Sequence, residues 1–141
     1  MKNIYPQTKA KELSKYIESI ANYSCLAMCY LFCIGIKFNE YDFINYVAEA
    51  IKEGLLDDDC SVKDGATFLN RFAGVDRFIV SKKEIKSISE IKQQAPVRFD
   101  YNGASHWVVV ENGKIIFNPL KHSICVDKGK PTTARIIELR K

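Results

Sequence analysis

The stretch Tyr23-Ser24-Cys25-Leu26-Ala27-Met28-Cys29-Tyr30-Leu31-Phe32-Cys33-Ile34 constrains this chain more than any other. It carries no charge, and its apolar residues fall on every side of a helical wheel. A helix of that kind is buried all round or lies in a membrane. The run from Cys25 to Ile36 is too short to cross a bilayer, so the sequence predicts a central helix enclosed by other elements. Asn22 and Ser24 are good N-cap residues. Cys25 is therefore expected in the first turn, where unpaired N–H groups and the positive end of the helix dipole meet. A thiol placed there is expected to have a lowered pKa and to be a usable nucleophile.

The other cysteines are Cys29, Cys33, Cys60 and Cys125, which makes an odd total of five. Without paired spacing they do not suggest a disulfide framework. Cys25, Cys29 and Cys33 lie one turn apart on one helix face, a placement that does not readily bridge. Reduced thiols and a cytoplasmic compartment are the expectation. The N-terminal Met1-Lys2-Asn3-Ile4-Tyr5-Pro6 has no apolar core of signal-peptide length, and no membrane span is expected. The net charge of +4 is scattered through the chain, which argues against a nucleic-acid partner. Lys82, Lys83 and Lys86, the densest basic group, read as a solvated loop. Asp57-Asp58-Asp59 reads as a solvated turn, because it lacks the alternating ligands and glycine of a calcium loop.

Before the cysteine helix, Ala10, Leu13, Tyr16, Ile17 and Ile20 follow helical spacing behind a Thr8 cap. After it, Asn39 caps a helix with the stripe Phe43, Ile44, Val47, Ala48, Ile51 and Leu55. Ser61 is expected to start another, with Val62, Ala66, Leu69 and Phe72 inward and Gly74 as the stop. Arg77 to Val80 reads as a short strand. Ser87 and Glu90 have capping-box spacing before a short helix ending near Gln94. From Pro96 the period changes to two. Strands are expected over Val97–Asp100, Ser105–Glu111, Lys114–Asn118, Ser123–Val126 and Ala134–Leu139, with turns at Asn102-Gly103 and Asn112-Gly113. Helices first and an antiparallel sheet second give an α+β chain. It reads as a single domain over 1–141, mainly helical over 1–75 and mainly sheet over 76–141.

Three segments together resemble the papain-like cysteine peptidase superfamily, in particular its bacterial branch that processes double-glycine leader peptides. They are Ser24-Cys25 with Leu26-Ala27-Met28 behind it, Ser105-His106-Trp107-Val108-Val109-Val110, and Asn118-Pro119. The resemblance covers the order of elements over most of the chain. It implies a papain-like fold, with the cysteine helix packed on the C-terminal antiparallel sheet. It also implies a peptidase or amide hydrolase acting on a peptide or protein substrate without a cofactor. In that reading Cys25 attacks a carbonyl carbon, His106 moves the proton, and Asn118 fixes the histidine tautomer. His122, which follows a lysine in a loop, reads as surface. A zinc site of Cys25, Cys29 and His106 would lack the Cys-x-x-Cys spacing that structural zinc favours, so no metal is expected.

The chain departs from the family at the oxyanion donor. A glutamine usually stands about six residues before the cysteine, and here that position is Ser19. Asn22 is nearer and is the other candidate, together with the Cys25 N–H. An incomplete oxyanion hole costs roughly a hundredfold or more in rate. The alternative reading is therefore a catalytically inactive peptide-binding module, or a phage or plasmid accessory protein with an interaction role.

Hairpin register decides whether Asn118 joins the site, because side chains alternate faces along a strand. A two-residue Asn112-Gly113 loop pairs Glu111 with Lys114, and by count sets Asn118 against Trp107. A three-residue loop, Glu111-Asn112-Gly113, pairs Val110 with Lys114. By count it sets His106 opposite Asn118 and Trp107 opposite Phe117. Gly113 suits the left-handed position of the longer loop, which is the expectation. Asp100 is the substitute third member if Asn118 faces away.

Overall fold

The protein is described by a computed structural model covering residues 3–36 and 39–140. Five helices come first: α1 (Pro6–Ser14), α2 (Ile17–Tyr23), α3 (Cys25–Cys33), α4 (Glu40–Lys52) and α5 (Gly65–Ala73). The strands β1 (Phe78–Glu84), β2 (Ala95–Tyr101), β3 (Ala104–Glu111) and β4 (Lys114–Phe117) follow. A short helix, α6 (Ile124–Lys128), precedes β5 (Lys130–Leu139). The strands form one antiparallel sheet in the order β1-β5-β2-β3-β4. The architecture is α+β, with N-terminal helices and a C-terminal five-stranded sheet. Among the described residues, no helix is long and apolar enough to cross a membrane.

The cysteine helix is apolar all round because it has packed neighbours on two sides. Ala27, Tyr30 and Leu31 of α3 pack with Val47 and Ala48 of α4 and Phe68 of α5. Cys29 instead packs against Trp107 and Val109 of β3. The opposite face of the sheet is covered as well. Val108 and Val110 join Val97, Phe99 and Ala134 in a second cluster that includes Cys125 of α6. His106 to Val110 are thus buried without alternation, as expected of a strand covered on both faces.

Several boundaries differ from expectation. The first helix is two: Pro6, not Thr8, opens α1, and the chain breaks at Lys15-Tyr16 before α2. The helix expected from Ser61 starts at Gly65. Asp64 caps it by accepting the Thr67 N–H at 3.0 Å, while Val62 pairs with Leu56 in an isolated bridge. A Cβ at position 65 would lie 2.6 Å from the Tyr30 hydroxyl, so any larger residue there would have to displace that buried ring. The Ser87–Glu90 capping box forms, but it closes only a single 3₁₀ turn, Ile88–Glu90. Ser123 to Val126 is not a strand: Ile124 opens α6, and an apolar run of three residues cannot distinguish the two by periodicity. β1 and β5 are both longer than expected. Pro131 sits in β5 at a register shift opposite Phe99, where its missing N–H is tolerated.

The β3–β4 hairpin corrects the loop expectation. Glu111 pairs with Lys114, so the loop has two residues, Asn112 and Gly113, with φ of +50° and +73°. Asparagine and glycine both tolerate this region, and the turn's twist matches that of the strands. The register then slips: Val110 pairs with Ile115, but Val109 pairs with Phe117, leaving Ile116 as an extra residue. Phe117 therefore opposes Val109 rather than Trp107. Its ring stacks on Phe32 at 4.6 Å and on Phe43 at 5.7 Å.

Candidate active site

A cleft of about 540 Å³ opens where β3 begins. Cys25 and His106 both line it. α2 and the start of α3 supply one wall, including Ile17, Ile20 and Asn22; the chain from Pro119 to Cys125 supplies another.

His106 is buried, with 4% of its surface exposed. Its Nε2 lies 2.7 Å from Oδ1 of Asn118. The Leu120 N–H donates to that same Oδ1 at 3.0 Å. A backbone N–H only donates, so the shared atom is the carbonyl oxygen of the amide. Nε2 must then carry the proton, and Nδ1 is left as the basic nitrogen. Asn118 reaches His106 because the bulge at Ile116 restores the parity that the two-residue loop removes. Phe117 lies on the Val109 face, so Asn118 falls on the Val108 face, which His106 shares.

Cys25 opens α3 and is half-buried. Ser24 occupies the cap position without capping: its hydroxyl turns back to donate to the Ile20 carbonyl at 2.5 Å. Burial pushes the Cys25 thiol above its ordinary value of 9.0, and hydrogen bonds from the backbone N–H groups of Trp107, Leu26 and Cys25 itself offset this only in part. This corrects the expectation of a lowered thiol, since the helix-start effect is present but burial outweighs it. Burial also pushes His106 below its ordinary 6.5, against the opposing effect of its bond to Asn118. Both groups are consequently neutral near pH 7. Among the described residues, no hydrogen bond joins them.

The remaining candidates separate cleanly. Asn22 lines the cleft, whereas Ser19, half-buried on α2, does not. Asp100 is engaged elsewhere, accepting from the Ser105 hydroxyl at 2.7 Å and the Thr132 hydroxyl at 2.8 Å and pairing with Arg98. Cys29 is fully buried, and burial pushes Cys33 up to about 12. Among the described residues, no group of three or more His, Cys, Asp or Glu side chains is placed to hold a metal ion. Sequence reasoning missed Ser123 and Cys125 as cleft residues, while His122, exposed as expected, also lines the cleft. The available signal was Pro119, which ends the strand and turns the chain back over the site.

A family model described as "Protein of unknown function, DUF261" matches residues 6–139. The chain belongs to this family. The match runs from the start of α1 to the end of β5, so the DUF261 region includes the cysteine helix, the His106 strand and the cleft segment. No curated protein matches the chain at a significant level. No solved structure matches it at that level either.

Proposed function

We propose that this DUF261 protein is a cysteine-dependent peptidase or amide hydrolase of papain-like arrangement. The observation that carries the reading is the His106 Nε2–Asn118 Oδ1 bond beside a cleft that Cys25 also lines. It leaves His106 Nδ1 unprotonated and without a hydrogen-bond partner among the described residues. In the proposed reaction the Cys25 sulfur attacks the substrate carbonyl carbon as Nδ1 takes the thiol proton. The tetrahedral oxyanion is held by the Cys25 N–H and the Asn22 side-chain amide. The imidazolium, steadied through Nε2 by Asn118, gives its proton to the leaving amine. The C–N bond breaks and a thioester remains. Water then loses a proton to Nδ1, attacks the thioester, and releases the acid and the thiol.

The test is turnover of a mixed peptide library followed by mass spectrometry. Wild type is expected to cleave, and Cys25→Ala is expected to lose at least about a thousandfold in kcat/KM with an unchanged melting temperature. Equal turnover by Cys25→Ala sinks the reading. A second reading, a peptide-binding module, is favoured by the raised thiol: it expects Cys25→Ala to bind the same peptides and wild type to leave them intact.

A further inference from the structure

We infer that the cleft takes an extended peptide with uncharged, bulky aliphatic side chains beside the bond that Cys25 attacks. This rests on the hydrolase reading above and names its substrate class. Charged residues make up 27% of the chain, so about four would be expected among any sixteen. The cleft has sixteen lining residues, and none is Lys, Arg, Asp or Glu. Two of its hydroxyls are already committed, Ser24 to the Ile20 carbonyl and Ser105 to Asp100. A charged side chain entering would lose hydration and meet no Lys, Arg, Asp or Glu on these walls, only the imidazoles of His106 and His122. An aliphatic one would cover apolar surface that is now wet. Ile17, Leu120 and Ile124 are 46%, 45% and 53% exposed, large aliphatic residues brought to one cleft from two separate segments.

Size points the same way. About 540 Å³ is within the range of sites that enclose a sizeable ligand. A slot shaped for glycine would leave little open volume beside the sulfur. A neighbouring hollow adds room. A second hollow of about 430 Å³ shares Met28, Ile44 and Pro119 with the first and is otherwise lined by Phe43, Phe117, Asn118 and one charged residue, Glu40. A ligand filling both is longer than a single residue.

The probes are four acetyl-X-X-vinyl sulfones in which X is Leu, Gly, Asp or Lys. The readout is the second-order rate of labelling at Cys25, by intact mass and peptide mapping, with N-acetylcysteine as the free-thiol reference. The leucine probe is expected to react at least tenfold faster than each of the other three. In Ile124→Lys, a rim change at an exposed helix start, its advantage over the aspartate probe is expected to fall at least tenfold. A smaller leucine preference in wild type overturns the inference, as does an undiminished one in Ile124→Lys. Rates that exceed the free thiol but do not depend on X overturn the inference and leave the hydrolase reading standing. If no probe reacts faster with Cys25 than with N-acetylcysteine, while iodoacetamide shows the sulfur to be accessible, both fall.

Discussion

The resting charge state of the site is open to a direct measurement, the alkylation of Cys25 by iodoacetamide as a function of pH. Burial raises the thiol above its ordinary value, so pH 7 lies well below its midpoint. About one molecule in a hundred, or fewer, then carries thiolate at pH 7. A preformed thiolate–imidazolium pair would carry it in nearly all molecules, and alkylation would be faster by up to about a hundredfold, less a modest discount for the weaker nucleophile. The expected profile therefore keeps rising past pH 9, with no plateau below pH 7. His106→Ala separates the two cases again. Removing a neutral imidazole is expected to change the pH 7 rate by less than about threefold, whereas removing the partner of an ion pair would cost about a hundredfold. Rates come from peptide mapping after timed quenching, so Cys29 and Cys33 serve as slow internal references. A plateau extending below pH 7 that collapses in His106→Ala would refute the neutral resting state. Peptide turnover is expected to need His106 all the same, with an acid limb below pH 6.5 as Nδ1 becomes protonated.

Asn118→Ala removes the acceptor of both the His106 Nε2–H and the Leu120 N–H. It is expected to cost about 1–3 kcal/mol in urea unfolding and at least about a hundredfold in kcat/KM; unchanged kcat/KM would take Asn118 out of the reaction. Gly129→Ala would press a Cβ into the carbonyl oxygens of Cys125 and Asp100 at an ordinary φ of −88°, so its cost is steric. About 2–3 kcal/mol is expected by urea unfolding, and a loss below about 1 kcal/mol would contradict the close approach of α6 to β2. His106 titrates lower in the folded chain than its ordinary 6.5, so the unfolded chain binds more protons as the pH falls through that value. Stability is expected to decline from pH 7 to 5.5, and the decline should be smaller in His106→Gln; identical slopes would remove the burial argument.

How much of this was legible in sequence depends on how local each determinant is. α3 was legible because no exposed face can be drawn on Cys25–Cys33. The start of α4 was legible because Asn39 and Asp42 form a complete capping box. The start of α5 is not legible because Ser61 and Asp64 are both good caps, and a bridge between Leu56 and Val62 occupies the segment a helix from Ser61 would need. α6 was misread because five residues that pack under β2 carry no usable period. The direction of the thiol shift is hidden from sequence for a related reason. Position at a helix start can be read from Asn22-Tyr23-Ser24-Cys25, but the burial that outweighs it is imposed by the sheet that packs over α3.

Asn118 shows how a site can be foreseen through a partly wrong route. Two preferences act on the hairpin, one local and one from the core. Asn112-Gly113 favours a two-residue turn, and Phe117 has Phe32 and Phe43 to stack on only if it faces α3. With no irregularity the short turn would set Phe117 against Val108, away from α3, and Asn118 against Trp107. One extra residue in β4 satisfies both preferences, and Ile116, on the edge strand and 39% exposed, is where an unpaired residue disturbs least. The expected three-residue loop and the observed short loop with a bulge share one parity, and parity is all that the site requires. The demand that fixes it comes from the core: stacking of Phe117 under α3 turns the next residue to the face that His106 shares, which borders the cleft that Cys25 also lines, and there His106 Nε2 meets Asn118 Oδ1. Packing of an aromatic ring thus sets the geometry of the proposed catalytic pair, a coupling that no local pattern in Lys114–Asn118 expresses.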